Sequence, residues 1–94
     1  MIKSFADPEA EKIYKGLVSR KLPTTIQKAA RRKLLYLEDA EDLRDLVAPP
    51  GNRLEMLQGI RAGQYSIRIN DQWRICFYWE AGQASAVEIV DYHK

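Results

Sequence analysis

Apolar positions change their period partway along the chain. Up to about residue 40 they recur every three or four residues, and from Arg53 onward they alternate, so helices precede strands. Ile2–Phe5 is short enough for an edge strand. Asp7-Pro8-Glu9 then supplies an N-cap oxygen, a proline at the first helical position and an early acidic charge. The helix that starts there has Ala10, Ile13 and Leu17 as its buried stripe, joined by Tyr14 and Val18. It stops by Leu22, because Pro23 disfavours helical geometry in the residue before it. Thr24-Thr25-Ile26-Gln27 fits a capping box, and Ile26, Ala30, Leu34 and Leu37 give a second helix its apolar face down to Asp39-Ala40. Leu43 and Leu46 suggest one more helical turn before Pro49-Pro50-Gly51 breaks the chain.

In the second half, Leu54 and Met56 alternate with Arg53, Glu55 and Leu57, and Gly59–Gly63 reads as a turn or exposed loop. Tyr65, Ile67 and Ile69 form one alternating set, and Trp73, Ile75, Phe77 and Trp79 the next, with Asn70-Asp71-Gln72 between them. Ala81-Gly82-Gln83 makes another turn before a last strand, Ala84–Tyr92. The whole reads as an α+β fold, two N-terminal helices packed on a small, mainly antiparallel β-sheet. A one-residue slip would move every side chain to the wrong face, so the alternation fixes a register. A three-residue loop at 70–72 sets Ile67 across from Ile75, Arg68 from Arg74 and Tyr65 from Phe77. A three-residue loop at 81–83 sets Phe77 across from Val87, Ile75 from Ile89, Arg74 from Val90 and Tyr78 from Ala86.

With 94 residues, 46% of them apolar and 30% charged, the chain makes one domain, 1–94, with one core. A formal charge of +2 by itself points to no partner. The single cysteine, Cys76, cannot form an internal disulfide, and the cytoplasm is the expected compartment. The longest strongly apolar runs, Leu34–Leu37 and Ile75–Trp79, are too short to span a bilayer, so no membrane association is expected. No zinc-type spacing, P-loop or GxGxxG is present, so neither a metal nor a cofactor is expected.

The register puts Arg68, Arg74, Val90 and Tyr92 on the face opposite Ile67, Ile75, Val87 and Ile89. Directly opposed like charges cost roughly 0.2–1 kcal/mol, so the arginine pair favours an anion, and each guanidinium presents a fork suited to phosphate. A tyrosine beside two cations is expected to lose its proton more easily. Such a face could hold and cleave RNA, a base taking the 2′-OH proton while arginines stabilise the phosphorane-like state. The plainer alternative is a solvent face whose arginines are neutralised by Glu88 or Glu80. His93, the only histidine, is either an acid or base near neutrality or a terminal side chain, and strict alternation sets it opposite Tyr92. Lys28, Arg31, Arg32 and Lys33 are either the wet side of a helix or nucleic-acid contacts.

Three runs carry a resemblance: Pro49-Pro50-Gly51-Asn52-Arg53-Leu54-Glu55, the stretch from Gly63 to Phe77, and Val87-Glu88-Ile89-Val90-Asp91-Tyr92-His93. Together with Met1-Ile2-Lys3-Ser4-Phe5 they resemble, over essentially the whole chain, the HigB family of plasmid-maintenance killer toxins in the RelE/ParE superfamily. The resemblance implies a type II toxin that enters the ribosomal A site and cleaves mRNA without metal. It implies Arg68 and Arg74 as phosphate-binding arginines, and Asp91, Tyr92 and His93 as a catalytic cluster. Arg61 and Arg53, with Lys28, Arg31 and Arg32, are the candidate RNA or ribosome contacts. Glu55 and Gln58 depart from relatives that carry a histidine and a lysine there. The implied partner is a HigA-type helix-turn-helix antitoxin, with operator DNA reached only through the toxin–antitoxin complex. Two other functions stay open at this point: a ParE-like inhibitor of gyrase, and a weak toxin that acts mainly with its antitoxin in operon regulation.

Overall fold

The computed structural model describes residues 1–92. Helix α1 spans Pro8–Tyr14 and begins as its sequence dictates, with the Asp7 carboxylate accepting from the Glu9 amide at 2.9 Å. It ends well short of Leu22. Gly16 takes φ +82°, and the Gly16 and Leu17 amides close on the Ile13 and Lys12 carbonyls, the Schellman stop that a glycine permits. Leu17 and Val18 are consequently 57% and 72% exposed and lie outside the core.

Helix α2, Thr24–Asp39, also starts differently from the sequence expectation: no side chain caps it. Gln27 turns instead to the connection before it, accepting from the Ser19 amide and donating to the Ser19 and Leu22 carbonyls. Three bonds to otherwise orphaned backbone groups outweigh the single one a capping box offers Gln27. The expected extra turn is a 3₁₀ turn at Leu43–Leu46, and it carries a reciprocal cap made by Asp42 and Asp45.

Strands β1 (Glu55–Met56), β2 (Tyr65–Arg68), β3 (Trp73–Glu80) and β4 (Gln83–Asp91) form an antiparallel sheet in the order β1-β2-β3-β4. The N-terminal segment adds two parallel bridges to β4, Ile2 with Ala84 and Phe5 with Val87, so the first residues do lie along a sheet edge. The β2–β3 register agrees with the alternation: Ile67 faces Ile75 and Arg68 faces Arg74. Between β3 and β4 the pairs Arg74–Val90 and Ile75–Ile89 agree too, but Tyr78 pairs with Ser85, not Ala86. The turn there has two residues, Ala81 and Gly82, both at positive φ as a primed hairpin turn requires. A bulge at Ala86, φ +50°, then restores the register, and the Ser4 hydroxyl accepts its amide at 2.9 Å.

Ile67, Ile75, Phe77, Val87 and Ile89 pack with Ile13, Ile26, Leu34 and Leu37 in one core, so the helices cover a single face of the sheet. The same pairing leaves Ser66, Arg68, Arg74, Cys76, Glu88 and Val90 on the opposite face. Among the described residues no helix is long and apolar enough to cross a membrane.

Candidate active site

The face opposite the helices is not open to solvent at its centre. Arg74 is only 8% exposed. Its Nε donates to Ser66 Oγ at 2.8 Å, and its Nη2 donates to the Arg53 carbonyl at 2.6 Å. Nη1 faces Glu55 at 3.8 Å, too long for a hydrogen bond, so this end of the fork keeps donors for a ligand. The Tyr92 ring lies over the guanidinium at 5.9 Å. Arg74 is therefore a cation fixed by its own strand neighbours and by the loop before β1.

Arg68, directly across the ladder, is held otherwise. Its guanidinium pairs with Asp71 in the β2–β3 turn, where the Asp71 side chain is almost wholly exposed. Arg61 reaches the same face from the 3₁₀ turn Gly59–Arg61, with Nη1 2.8 Å from Glu88 and donating to Gln64 at 3.0 Å. The bond to Glu88 holds the Arg61 pKa above its ordinary value. Glu88 thus neutralises Arg61 and not the cross-strand pair, which is served by Asp71 at Arg68 and, at Arg74, by the neutral acceptors Ser66 and the Arg53 carbonyl with the Glu55 carboxylate at ion-pair distance.

Tyr92 corrects the sequence expectation. The Arg61 and Arg74 charges do favour its phenolate, but burial, reinforced by the hydrogen bond to Cys76 Sγ at 3.6 Å, pushes its pKa up to about 12. Desolvation outweighs the two cations, and Tyr92 is a neutral phenol at physiological pH. Burial likewise raises the Cys76 thiol, which stays protonated behind it.

An open groove of about 470 Å³ runs past this cluster, lined by Leu57, Ile60, Arg61, Val90, Asp91 and Tyr92 among others. Arg74 lies behind the Tyr92 ring and does not line it. Asp91 is exposed and accepts from Gln72 Nε2 at 3.2 Å. Arg53 contributes its carbonyl, with its side chain exposed. His93 lies outside the described residues. Lys28, Arg31 and Arg32 are not brought into this cluster: they border a second groove of about 480 Å³ between α1 and α2, beside Leu17 and Val18. Ser66, Cys76 and Glu88 were legible as neighbours, since each sits two positions from a residue already placed on this face. Asn52 and the Arg53 carbonyl carried no such signal, because an irregular segment has no period.

This arrangement of two helices on one face of a four-stranded meander is the RelE-like fold. The chain superposes on the YoeB–YefM complex from Staphylococcus aureus with a TM-score of 0.61 at 19% identity, covering 100% of this chain and 99% of that one. A heterotetrameric YoeB–YefM toxin–antitoxin complex from the same organism gives a TM-score of 0.61 at 21% identity. At such identities the likeness concerns the fold. The family follows from sequence: the model of the HigB-like toxins, described as RelE-like toxins of the type II toxin–antitoxin system HigB, matches residues 3–93. The chain is 41% identical over 85 residues to Toxin HigB-1 of Vibrio cholerae, spanning 89% of this chain and 90% of that protein. It is 33% identical over 82 residues to an uncharacterized protein of Haemophilus influenzae, spanning 86% and 81%. The chain belongs to the HigB-like family and is a RelE-type toxin of a type II toxin–antitoxin system, a membership that indicates endoribonuclease activity.

Proposed function

We propose that this toxin enters the ribosomal A site and cleaves mRNA there by attack of a ribose 2′-OH on the adjacent phosphorus, without metal. The observation that carries this reading is the buried Arg74 fork set behind the Tyr92 ring, next to an open groove that Tyr92 and Arg61 line. In the reaction the 2′-O–P bond forms and the P–O5′ bond breaks, leaving a cyclic phosphate and a 5′-hydroxyl. Arg74 and Arg61, joined by Arg68 once it leaves Asp71, stabilise the charge that gathers on the phosphoryl oxygens.

Tyr92, neutral at physiological pH, is the donor to the leaving O5′ and not the base. The phenolate it leaves behind is the form that Arg61 and Arg74 favour. The proton of the 2′-OH goes to Asp91 or His93. Arg53, Lys28, Arg31 and Arg32 add positive charge for ribosomal RNA, with the helix-layer residues acting at a distance from the chemistry.

The natural partner is a HigA-type helix-turn-helix antitoxin in the cytoplasm, through which alone the toxin reaches operator DNA. The family's description as toxins of a type II toxin–antitoxin system supports pairing with an antitoxin, and the likeness in fold to a toxin solved with its antitoxin agrees with it. Induction of the chain without antitoxin, followed by mapping of mRNA 5′ ends, tests the reading. Clustered in-frame cuts in translated messages that vanish with Arg74→Ala are expected; intact mRNA together with blocked supercoiling by purified gyrase would overturn it in favour of a ParE-like action.

A further inference from the structure

The run Pro49-Pro50-Gly51-Asn52-Arg53 takes no direct part in the chemistry above apart from one carbonyl, yet both cross-strand arginines are tied to it. The Arg68 amide donates to the Asn52 carbonyl at 2.6 Å, and Arg74 Nη2 donates to the Arg53 carbonyl at 2.6 Å. Arg53 stands at φ +44°, a conformation that a non-glycine residue keeps only where its surroundings over-determine it. Those surroundings are two buried polar side chains. Asn52 is fully buried; its Nδ2 donates to the Leu46 carbonyl at 3.0 Å, and its Oδ1 accepts from Lys33 Nζ. Lys33, 2% exposed on α2, also donates to the Pro50 carbonyl at 3.3 Å.

A lysine in that place is costly. Burial, with the charges of Arg32 and Arg68, holds its pKa below the ordinary value. A buried ion can often be replaced by an apolar residue of similar size without loss of stability, so packing alone does not account for an ammonium here. What Lys33 does provide is a strut from the helix layer to the segment that orients Arg74.

We propose that Lys33 and Asn52 are positioning residues for Arg74: together they lock the Pro49–Arg53 turn so that the Arg53 carbonyl fixes the guanidinium plane behind Tyr92. The proposal rests on the reading of Arg74 as the cation that stabilises the transition state. Its test uses the full-length toxin with two independent readouts, single-turnover mRNA cleavage on programmed ribosomes and hydrogen exchange of the Arg74 Nε–H followed by NMR. In Lys33→Met the cleavage rate at saturating toxin is expected to fall about tenfold or more, while the concentration giving half the maximal rate stays within about twofold. The Nε–H, held on Ser66 in the wild type, is expected to exchange about tenfold faster. Lys33→Gln, which restores an uncharged donor, is expected to recover most of both.

Unchanged Arg74 exchange in folded Lys33→Met overturns the proposal, as does faster exchange with an unaltered cleavage rate. If Lys33→Met gives no folded spectrum, Asn52→Ala, which keeps the cation and removes the asparagine's two side-chain bonds, takes its place. Slower cleavage with faster Arg74 exchange in Asn52→Ala then supports the proposal, and either quantity left unchanged overturns it. A wild-type toxin that does not cleave counts against the cleavage reading alone, and Arg74 exchange then decides the positioning by itself.

Discussion

The two faces of this small domain each gather basic side chains and differ in how they hold them. Between α1 and α2, Lys28, Arg31 and Arg32 are exposed on a helix surface beside exposed apolar side chains. On the sheet face, Arg74 is buried on a serine and a carbonyl, and Arg61 is clamped by Glu88 and Gln64. A free cation must lose side-chain entropy when it meets an anion, whereas a held one has lost it already on folding. Long-range attraction suits the first kind and transition-state stabilisation the second.

The largest expected effect is therefore at Arg74. Arg74→Ala is expected to lower single-turnover cleavage about 10³-fold, and to cost about 1–3 kcal/mol of stability because Ser66 Oγ and the Arg53 carbonyl lose their donor. Denaturant unfolding read beside the rate separates the two effects. Arg74→Lys keeps the charge without the fork, and a loss of about 10²-fold is expected. A lysine variant as active as the wild type would reduce Arg74 to a point charge like those on α2.

Tyr92→Phe comes next, keeping the ring over Arg74 and removing the hydroxyl proposed as proton donor, with a loss of about 10²-fold expected. The tyrosine also marks alkaline stability. Its pKa rises on folding from 10.0 to about 12, so the neutral phenol stabilises the fold fully below pH 10, and that contribution is lost as the pH climbs through 12. It amounts to at most about 2–3 kcal/mol, less for the part of the ring that stays wet. Unfolding followed above pH 10 is expected to be less pH-dependent in Tyr92→Phe than in the wild type; parallel curves would remove the desolvated phenol from the site.

A smaller and different effect is expected from replacing Lys28, Arg31 and Arg32 together by glutamine. Ribosome affinity is expected to fall about tenfold at low salt and much less at high salt, with the cleavage rate at saturation unaltered. A salt-insensitive loss of rate would merge the two classes of cation that the structure separates.

How much of this is legible in the sequence depends on whether a local pattern exists. Strict alternation around Ile67 and Ile75 determines the β2–β3 register and the Arg68–Arg74 opposition, since a slip would expose the core. The end of α1 escapes the pattern because Gly16 stops the helix while Leu17 and Val18 still continue its apolar spacing. The bulge leaves no mark, because the left-handed residue is Ala86 and its support, Ser4, is distant in sequence. Arg74's burial is hidden for the same reason. Its coverings, the Arg53 carbonyl, Glu55 and Tyr92, come from separate segments, and no period links them to β3.

The finest division lies within the arginine pair itself. Arg68 and Arg74 face each other across one ladder position, but Arg68 is held by a carboxylate whose side chain is 98% exposed. Water screens such a pair and competes for both partners, so it stabilises the fold little and yields easily to a phosphate. Asp71→Asn removes the competing charge without removing the turn, which Asn70 holds through bonds to the Gln72 and Trp73 amides. The folded stability is expected to stay as it is, and ribosome-bound toxin to cleave at an unchanged or slightly higher rate, by no more than about fivefold. A tenfold loss would mean that Asp71 orients Arg68 as Ser66 orients Arg74, and both arginines would then be held in advance of the substrate.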